Sequence, residues 1–164
     1  MRGNISAGSI NTPVGWLLVH ADKEGLRGLD FCGTRKPSPM PNDKGSCIDL
    51  ALEQLDAYFN GKLKSFCLPL APEGTSFQQK VWQQLTQIPW GQSCSYGQIA
   101  KSCENPKASR AVGMANNRNP LPIVIPCHRV VGSDGRLVGY GGGLAIKRWL
   151  LQHEGFCIRE KDRI

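Results

Sequence analysis

The stretch LPIVIPCHRVVG, residues 121 to 132, constrains this chain more than any other. Apolar residues and prolines lead into Cys127, His128 and Arg129, and Val130 and Val131 follow directly. A run this hydrophobic belongs in a core, yet its centre carries a thiol, an imidazole and a guanidinium. Burying such groups is costly unless each one finds a partner. The fold must therefore bring partners to this segment from elsewhere, and a Cys-His pair inside a core-like run asks for a chemical role.

A thiol is a weak nucleophile until it is deprotonated, and a nearby histidine or positive environment lowers its pKa. Adjacency does not by itself bring His128 onto Cys127, because neighbours on a strand point to opposite faces. Pro126 favours a turn here, and His128 can act through a water with Glu154 as the third member of a relay. Three readings stand on these residues: a thiol hydrolase that turns over, a structural cysteine, and a thiolate that accepts a group and keeps it.

The chain of 164 residues suits one domain or two small ones. Its net charge of +7 favours a polyanionic partner, with basic residues spread along the chain rather than run together. The opening MRGNISAGSINTP has no apolar core of signal-peptide length and no stretch approaches a membrane span, so a cytoplasmic protein is expected. The seven cysteines are scattered without a C-x-x-C, and only Cys127 has a histidine beside it. Neither a disulfide framework nor a metal site is expected, and most of the others read as small buried residues.

The two halves differ in pattern. SINTPVGWLLVHADKEGLRGLDF reads as short strands with turns at Pro13, Gly15 and Gly25, and CIDLALEQLDAYFNG sets Ile48, Leu52, Leu55 and Phe59 at helical spacing before Gly61. The Pro-rich CLPLAPEGT puts a boundary near Ala71 to Thr75, which divides the chain into an α/β scaffold domain, 1–71, and a second domain, 72–164. There, Phe77, Val81, Trp82, Leu85 and Ile88 form one stripe, and YGQIAKSC makes a second helix. A third helix is expected with Asn105 as N-cap and Pro106 at its first position, ending at Asn119-Pro120. Ala108, Ala111, Gly113 and Ala115 leave it bare around a single projecting Arg110. Such a helix is either tightly packed or built to approach something narrow. In the last helix, LAIKRWLLQHEG, Leu144, Ile146, Leu150 and Leu151 are the packing residues, and Glu154 sits where the helix dipole disfavours a carboxylate.

Three segments together carry a resemblance: FQQKVWQQLTQIPWGQSCSYGQIA, NPKASRAVGMANNRNPLPIVIPCHRVV and IPCHRVVGSDGRLVGYGGGLAIKRWLLQHEG. They closely resemble the O6-alkylguanine-DNA alkyltransferases (methylated-DNA–protein-cysteine methyltransferases), continuously from about Thr75 to Gly155. The resemblance implies an α/β N-terminal domain followed by a mainly α-helical, winged helix-turn-helix-like C-terminal domain. It implies irreversible, single-turnover transfer of an alkyl group from O6 of guanine in double-stranded DNA to Cys127, with O4-alkylthymine as a further substrate. It requires no cofactor and no metal, and it implies a monomer, cytoplasmic or, in a eukaryote, nuclear.

The same resemblance assigns roles. Cys127 is the acceptor, His128 and Glu154 draw off its proton through water, and Asn119 braces the turn. Arg110 fills the gap left by the flipped nucleotide, on a minor-groove helix that includes Ala108, Ala111, Gly113 and Ala115, with Ser95 a further DNA contact. Tyr96 crowds the phosphate and donates to guanine N3. The carbonyls of Cys127 and Val130 take the exocyclic amine, and the Gly141 N–H meets O6. Tyr140 and Val138 complete the substrate-binding set; many relatives have glycine where Val138 stands, so Val138 bears on how large an alkyl group fits.

Overall fold

Alternation organises the first of two units, Met1–Glu73, in the computed structural model, which describes residues 5–38 and 46–158. The opening residues 1–4, read above for a leader, lie outside that set. In β2 (Gly15–Asp22) the odd positions Leu17, Val19 and Ala21 are buried while their neighbours are partly exposed, the period-two signature of a half-buried strand. β1 (Ser6–Thr12) and β3 (Gly25–Gly33) flank it antiparallel, joined by turns at Pro13-Val14 and Lys23-Glu24. The helix α1 (Cys47–Phe59) covers one face, burying Ile48, Ala51, Leu55 and Tyr58. It comes so close at Gly8 that an added Cβ would stand 2.7 Å from Ile48 Cγ2, so that position excludes a side chain. Gly61, at φ +72°, ends the helix in the left-handed conformation that glycine takes without steric cost.

The second unit, Gly74–Ile164, holds four α-helices among its described residues and the chemistry-bearing turn. α2 (Ser76–Leu85) starts at a capping box in which Thr75 and Gln78 exchange side-chain and backbone bonds, and it buries Val81, Trp82 and Leu85. A second capping box, Ser95 with Gln98, opens α3 (Tyr96–Ser102). β4 (Cys94–Ser95) pairs parallel with β5 (Val130–Val131), so Cys94 faces Val130 and Ser95 faces Val131. That short ladder fixes the start of α3 beside the segment that follows Cys127. Among the described residues no helix is long and apolar enough to cross a membrane.

The next helix differs from the expectation. α4 spans Ser109–Asn117, with Ala108 rather than Asn105 at its N-cap. Asn105 is consumed in closing α3: its N–H donates to Ala100 O at 3.0 Å and that of Glu104, at φ +59°, donates to Lys101 O at 2.9 Å, a Schellman closure. The Ala108 N–H then bonds Asn105 O, so Pro106 lies in a turn. The cysteines also depart from expectation: only Cys103 and Cys127 are buried, while Cys67 and Cys157 are exposed. The remaining Cys32, Cys47 and Cys94 are part-buried on short strands and helix starts, where one side of the element faces water.

Candidate active site

Cys127 is presented by a chain of local turns. Asn119 accepts from the Leu121 N–H at 3.0 Å and donates through Nδ2 to Ile125 O at 2.8 Å, spanning the loop at both ends. Within it Ile123 is held at φ +75°, a conformation that a β-branched residue rarely takes. Pro126, at φ −79° and ψ 63°, sits in an inverse γ-turn closed by Cys127 N–H to Ile125 O at 2.7 Å. A 3-10 turn over Cys127–Arg129 follows. These backbone constraints hold the thiol at a fixed place, 3% exposed.

Burial pushes the Cys127 thiol up to about 11, against the opposing influence of Asn119, Lys147 and Tyr140. The resting group is therefore a neutral thiol. Loss of solvation outweighs every charge and hydrogen bond nearby. Activation has to be coupled to the reaction.

The partners sought for His128 and Arg129 are one residue. His128 Nε2 lies 2.7 Å from Glu154 Oε1, and Arg129 grips the same carboxylate with Nε at 2.8 Å and Nη2 at 2.9 Å while Nη1 donates to Ile88 O at 2.6 Å. Burial alone would raise the Glu154 carboxyl, but the hydrogen bonds from His128 and Arg129 reverse this and hold it at about 2. Burial lowers the His128 pKa, against the pull of Glu154, so the ring is neutral near pH 7. An ionised carboxylate only accepts, so Nε2 carries the ring hydrogen and Nδ1 keeps its lone pair. Nδ1 has no hydrogen-bond partner among the described residues. The dyad thus orients a buried base. Glu154 is the C-cap of α5 (Leu144–His153), and Gly155 at φ +80° closes that helix behind it. Its apparent conflict with the helix dipole is settled by two cationic or N–H partners.

Three contributors were not found from the sequence: Arg129 as the clamp on Glu154, Lys147 and Asn116. Lys147 lies fully buried in the apolar stripe of α5, where Leu144 and Ile146 are only part-buried. Its Nζ donates to Val130 O at 2.6 Å, Val138 O at 3.0 Å and Gly139 O at 3.3 Å, tying the 138–139 loop to β5. Burial pulls its pKa down to about 8, partly offset by Cys127. A lysine three residues before Leu150 on a helix stripe was the available signal. Asn116, 2% exposed, donates to Cys127 O at 3.3 Å.

The substrate-binding candidates border this turn. Tyr96, whose pKa burial raises, donates its hydroxyl to Val138 O at 3.0 Å, and its ring passes 3.8 Å from where a Cβ on Gly113 would stand. Tyr140 interacts with the Cys127 thiol. The Val138 side chain is 49% exposed, and Gly141 is exposed. The Cys127 carbonyl accepts two bonds, from Asn116 Nδ2 and the Val130 N–H, and the Val130 carbonyl accepts one from Lys147 Nζ. On α4, Arg110 and Ala111 are exposed and Gly113 is part-exposed. Ala115 is not on that face. It is 2% exposed and its carbonyl accepts the Trp82 Nε1–H at 2.9 Å, because residues four apart from Ala111 still rotate past the edge of a helix packed on α2. Ala108 caps the helix, and the Ser95 hydroxyl accepts from the Gln98 N–H at 3.1 Å. No group of three His, Cys, Asp or Glu side chains suited to a metal occurs among the described residues.

Two family models match this chain: the DNA binding domain of 6-O-methylguanine DNA methyltransferase over residues 76–156, and the ribonuclease-like domain of the same proteins over residues 5–72. A methylated-DNA–protein-cysteine methyltransferase of Methanosarcina acetivorans is 50% identical over 149 residues, covering 89% of this chain and 96% of its own. One from Mycobacterium tuberculosis is 53% identical over 152 residues, covering 89% and 90%. A crystal structure of the Mycobacterium tuberculosis protein in complex with DNA is similar at a TM-score of 0.82 and 44% identity, over 92% of this chain and 93% of that one.

Proposed function

Since this chain belongs to the 6-O-methylguanine DNA methyltransferase family, whose activity is alkyl transfer from methylated DNA to a protein cysteine in DNA repair, we propose that Cys127 is its acceptor and that it acts once, on a flipped base. The observation that carries the assignment is the buried Cys127 on the same turn as a His128 base oriented at 2.7 Å by Glu154.

The α3–α4 pair with the loop that follows β5 makes the winged helix-turn-helix, and α4 enters the minor groove by its Arg110–Ala111–Gly113 face. A base inside a duplex cannot reach a buried thiol, so the nucleotide turns out at a cost of about a few kcal/mol. Arg110 fills the space left behind. Tyr96, at the start of α3, leaves Val138 O to press on the phosphate and donate to guanine N3. The Gly141 N–H meets O6, and Val138 and Tyr140 flank the alkyl group.

The chemistry then balances within the pocket. The thiol proton moves towards His128 Nδ1 through a bridging water as sulfur attacks the alkyl carbon. The S–C bond forms, the C–O6 bond breaks, and its electron pair stays on the guanine ring, which becomes neutral when the proton taken from the thiol passes from His128 through water to guanine, ending at N1, so His128 returns to its neutral form. Lys147 and the polar lining stabilise the developing thiolate despite its high resting pKa. The alkyl carbon is itself the electrophile, so no cofactor is required. A thioether is a poor leaving group, which makes the protein a single-use monomeric reagent, and O4-alkylthymine presents a similar alkyl carbon.

Intact mass after one equivalent of O6-methylguanine duplex tests this. One methyl should be added, mapping to Cys127 and to none of the other six cysteines. Sustained turnover without mass gain would support a hydrolase, and binding with the lesion left intact would support a lesion sensor.

A further inference from the structure

We propose that Asn116 reads the flipped base: its Oδ1 accepts a hydrogen from the exocyclic amine of guanine and so sets guanine lesions above thymine lesions. The proposal rests on the flipped-base reading above and adds a residue to it.

Asn116 is 2% exposed in the last turn of α4. Its Nδ2 donates to Cys127 O at 3.3 Å, but its Oδ1 has no hydrogen-bond partner among the described residues. A buried acceptor without a partner is costly, and such groups call for an explanation. This one adjoins the carbonyl that the flipped-base reading already assigns to the amine. The end of α4 also meets the pocket loop. The Asn117 side chain lies 3.7 Å from where a Cβ on Gly139 would stand, and the Asn117 carbonyl lies 4.0 Å from the same point on Gly141. Asn116 therefore ties the recognition helix to the thiol turn, one residue before the helix meets the loop through Asn117.

The direction of its amide is fixed. Cys127 O also accepts the Val130 N–H, so it can only attract a donor. Rotating the Asn116 amide by half a turn would set Oδ1 against that carbonyl, oxygen facing oxygen. Asn116 is consequently held as a donor to the protein and an acceptor to the ligand. O6-alkylguanine carries no hydrogen on N1, and its exocyclic amine has two. One can go to the Val130 carbonyl and the other to Asn116, since the Cys127 carbonyl already holds two donors. O4-alkylthymine puts its O2 carbonyl at that position, where it meets Oδ1 as a second acceptor and leaves both unsatisfied. A site built around a substrate N–H rejects an analogue without one more strongly than a purely apolar pocket does.

The test is single-turnover repair of duplexes holding O6-methylguanine, O6-methylhypoxanthine, which lacks only the exocyclic amine, or O4-methylthymine. We expect Asn116→Leu to slow O6-methylguanine about tenfold more than O6-methylhypoxanthine, and to raise O4-methylthymine relative to O6-methylguanine. Asn116→Ala should change the ratios in the same sense with less disturbance of packing. Should neither variant fold, the Asn116 side-chain amide resonance is followed in the Cys127→Ser protein, which cannot complete transfer. It should shift with the O6-methylguanine duplex and not with the O6-methylhypoxanthine duplex. Equal slowing of all three substrates, or equal resonance shifts, would show that Asn116 only braces the Cys127 turn and would overturn the proposal. Absence of transfer from every duplex to the unaltered protein would instead overturn the alkyl-transfer reading, and this proposal with it.

Discussion

Replacing Glu154 by glutamine removes one negative charge while nearly keeping shape, and its cost can be worked out in two ways. Its carboxyl is held at about 2 against an ordinary 4.5. At about 1.4 kcal/mol per pH unit, that difference corresponds to about 3 kcal/mol of folding stability at neutral pH. Independently, breaking a buried ion pair by removing one partner costs about 3 to 5 kcal/mol, because the other charge is stranded. Here the stranded charge is Arg129, whose side chain is 8% exposed. The two values agree. Because the folded pKa is depressed, the contribution is complete above pH 4.5 and disappears as pH falls through 2. Urea unfolding at pH 7 should place Glu154→Gln about 3 kcal/mol below the unaltered protein, with the gap closing at about pH 2 to 3. Repair should slow as well, since Gln can donate to His128 Nε2 and turn the wrong tautomer towards the thiol. Equal urea midpoints at pH 7, or a gap that persists unchanged in acid, would refute the buried-clamp argument.

Lys147→Met keeps length and loses the donor to three carbonyls, so it should release the 138–139 loop and slow transfer; a rate equal to the unaltered protein's would assign Lys147 to packing alone. A lysine depressed to about 8 costs most while charged, so the unaltered protein should gain about 1 kcal/mol relative to Lys147→Met between pH 8 and 9 in urea unfolding. Arg110→Ala should strongly slow repair of duplex while barely changing reaction with free O6-methylguanine, and Arg110→Lys should restore little because a planar guanidinium stacks where an ammonium does not; equal slowing on duplex, single strand and free base would remove the finger assignment. Val138→Gly should speed O6-benzylguanine more than O6-methylguanine, because the exposed valine occupies room that only the larger group needs; equal rate changes would place that side chain away from the alkyl group.

Much of the architecture was legible because it is written in local signals. The turns near Pro13 and Gly25 mark short strands, and the spacing of Val81, Trp82 and Leu85 marks a helix. These depend on residues two to four apart, and backbone geometry alone makes them neighbours. The start of α4 was misread for the same local reason. Asn105-Pro106 is a good helix opening in isolation, but closing α3 through Glu104 had already used the Asn105 N–H.

The sequence by itself determined that Cys127 and His128 sit together in an apolar run that must be buried, and that Glu154 is a carboxylate out of place at a helix end. Only the tertiary structure decided that these are one problem with one solution. It sets Glu154 against both His128 and Arg129, folds Lys147 under the pocket loop, turns Ala115 towards Trp82, and leaves Asn116 Oδ1 without a partner among the described residues beside the thiol turn. Each of those depends on which ends of separate elements meet, a matter of long-range packing rather than periodicity. It also decided the protonation state of the nucleophile. Residue types left the state of the thiol open, because the free energy of a charge is governed by the solvent it loses, and that loss exists only once the chain has closed around it.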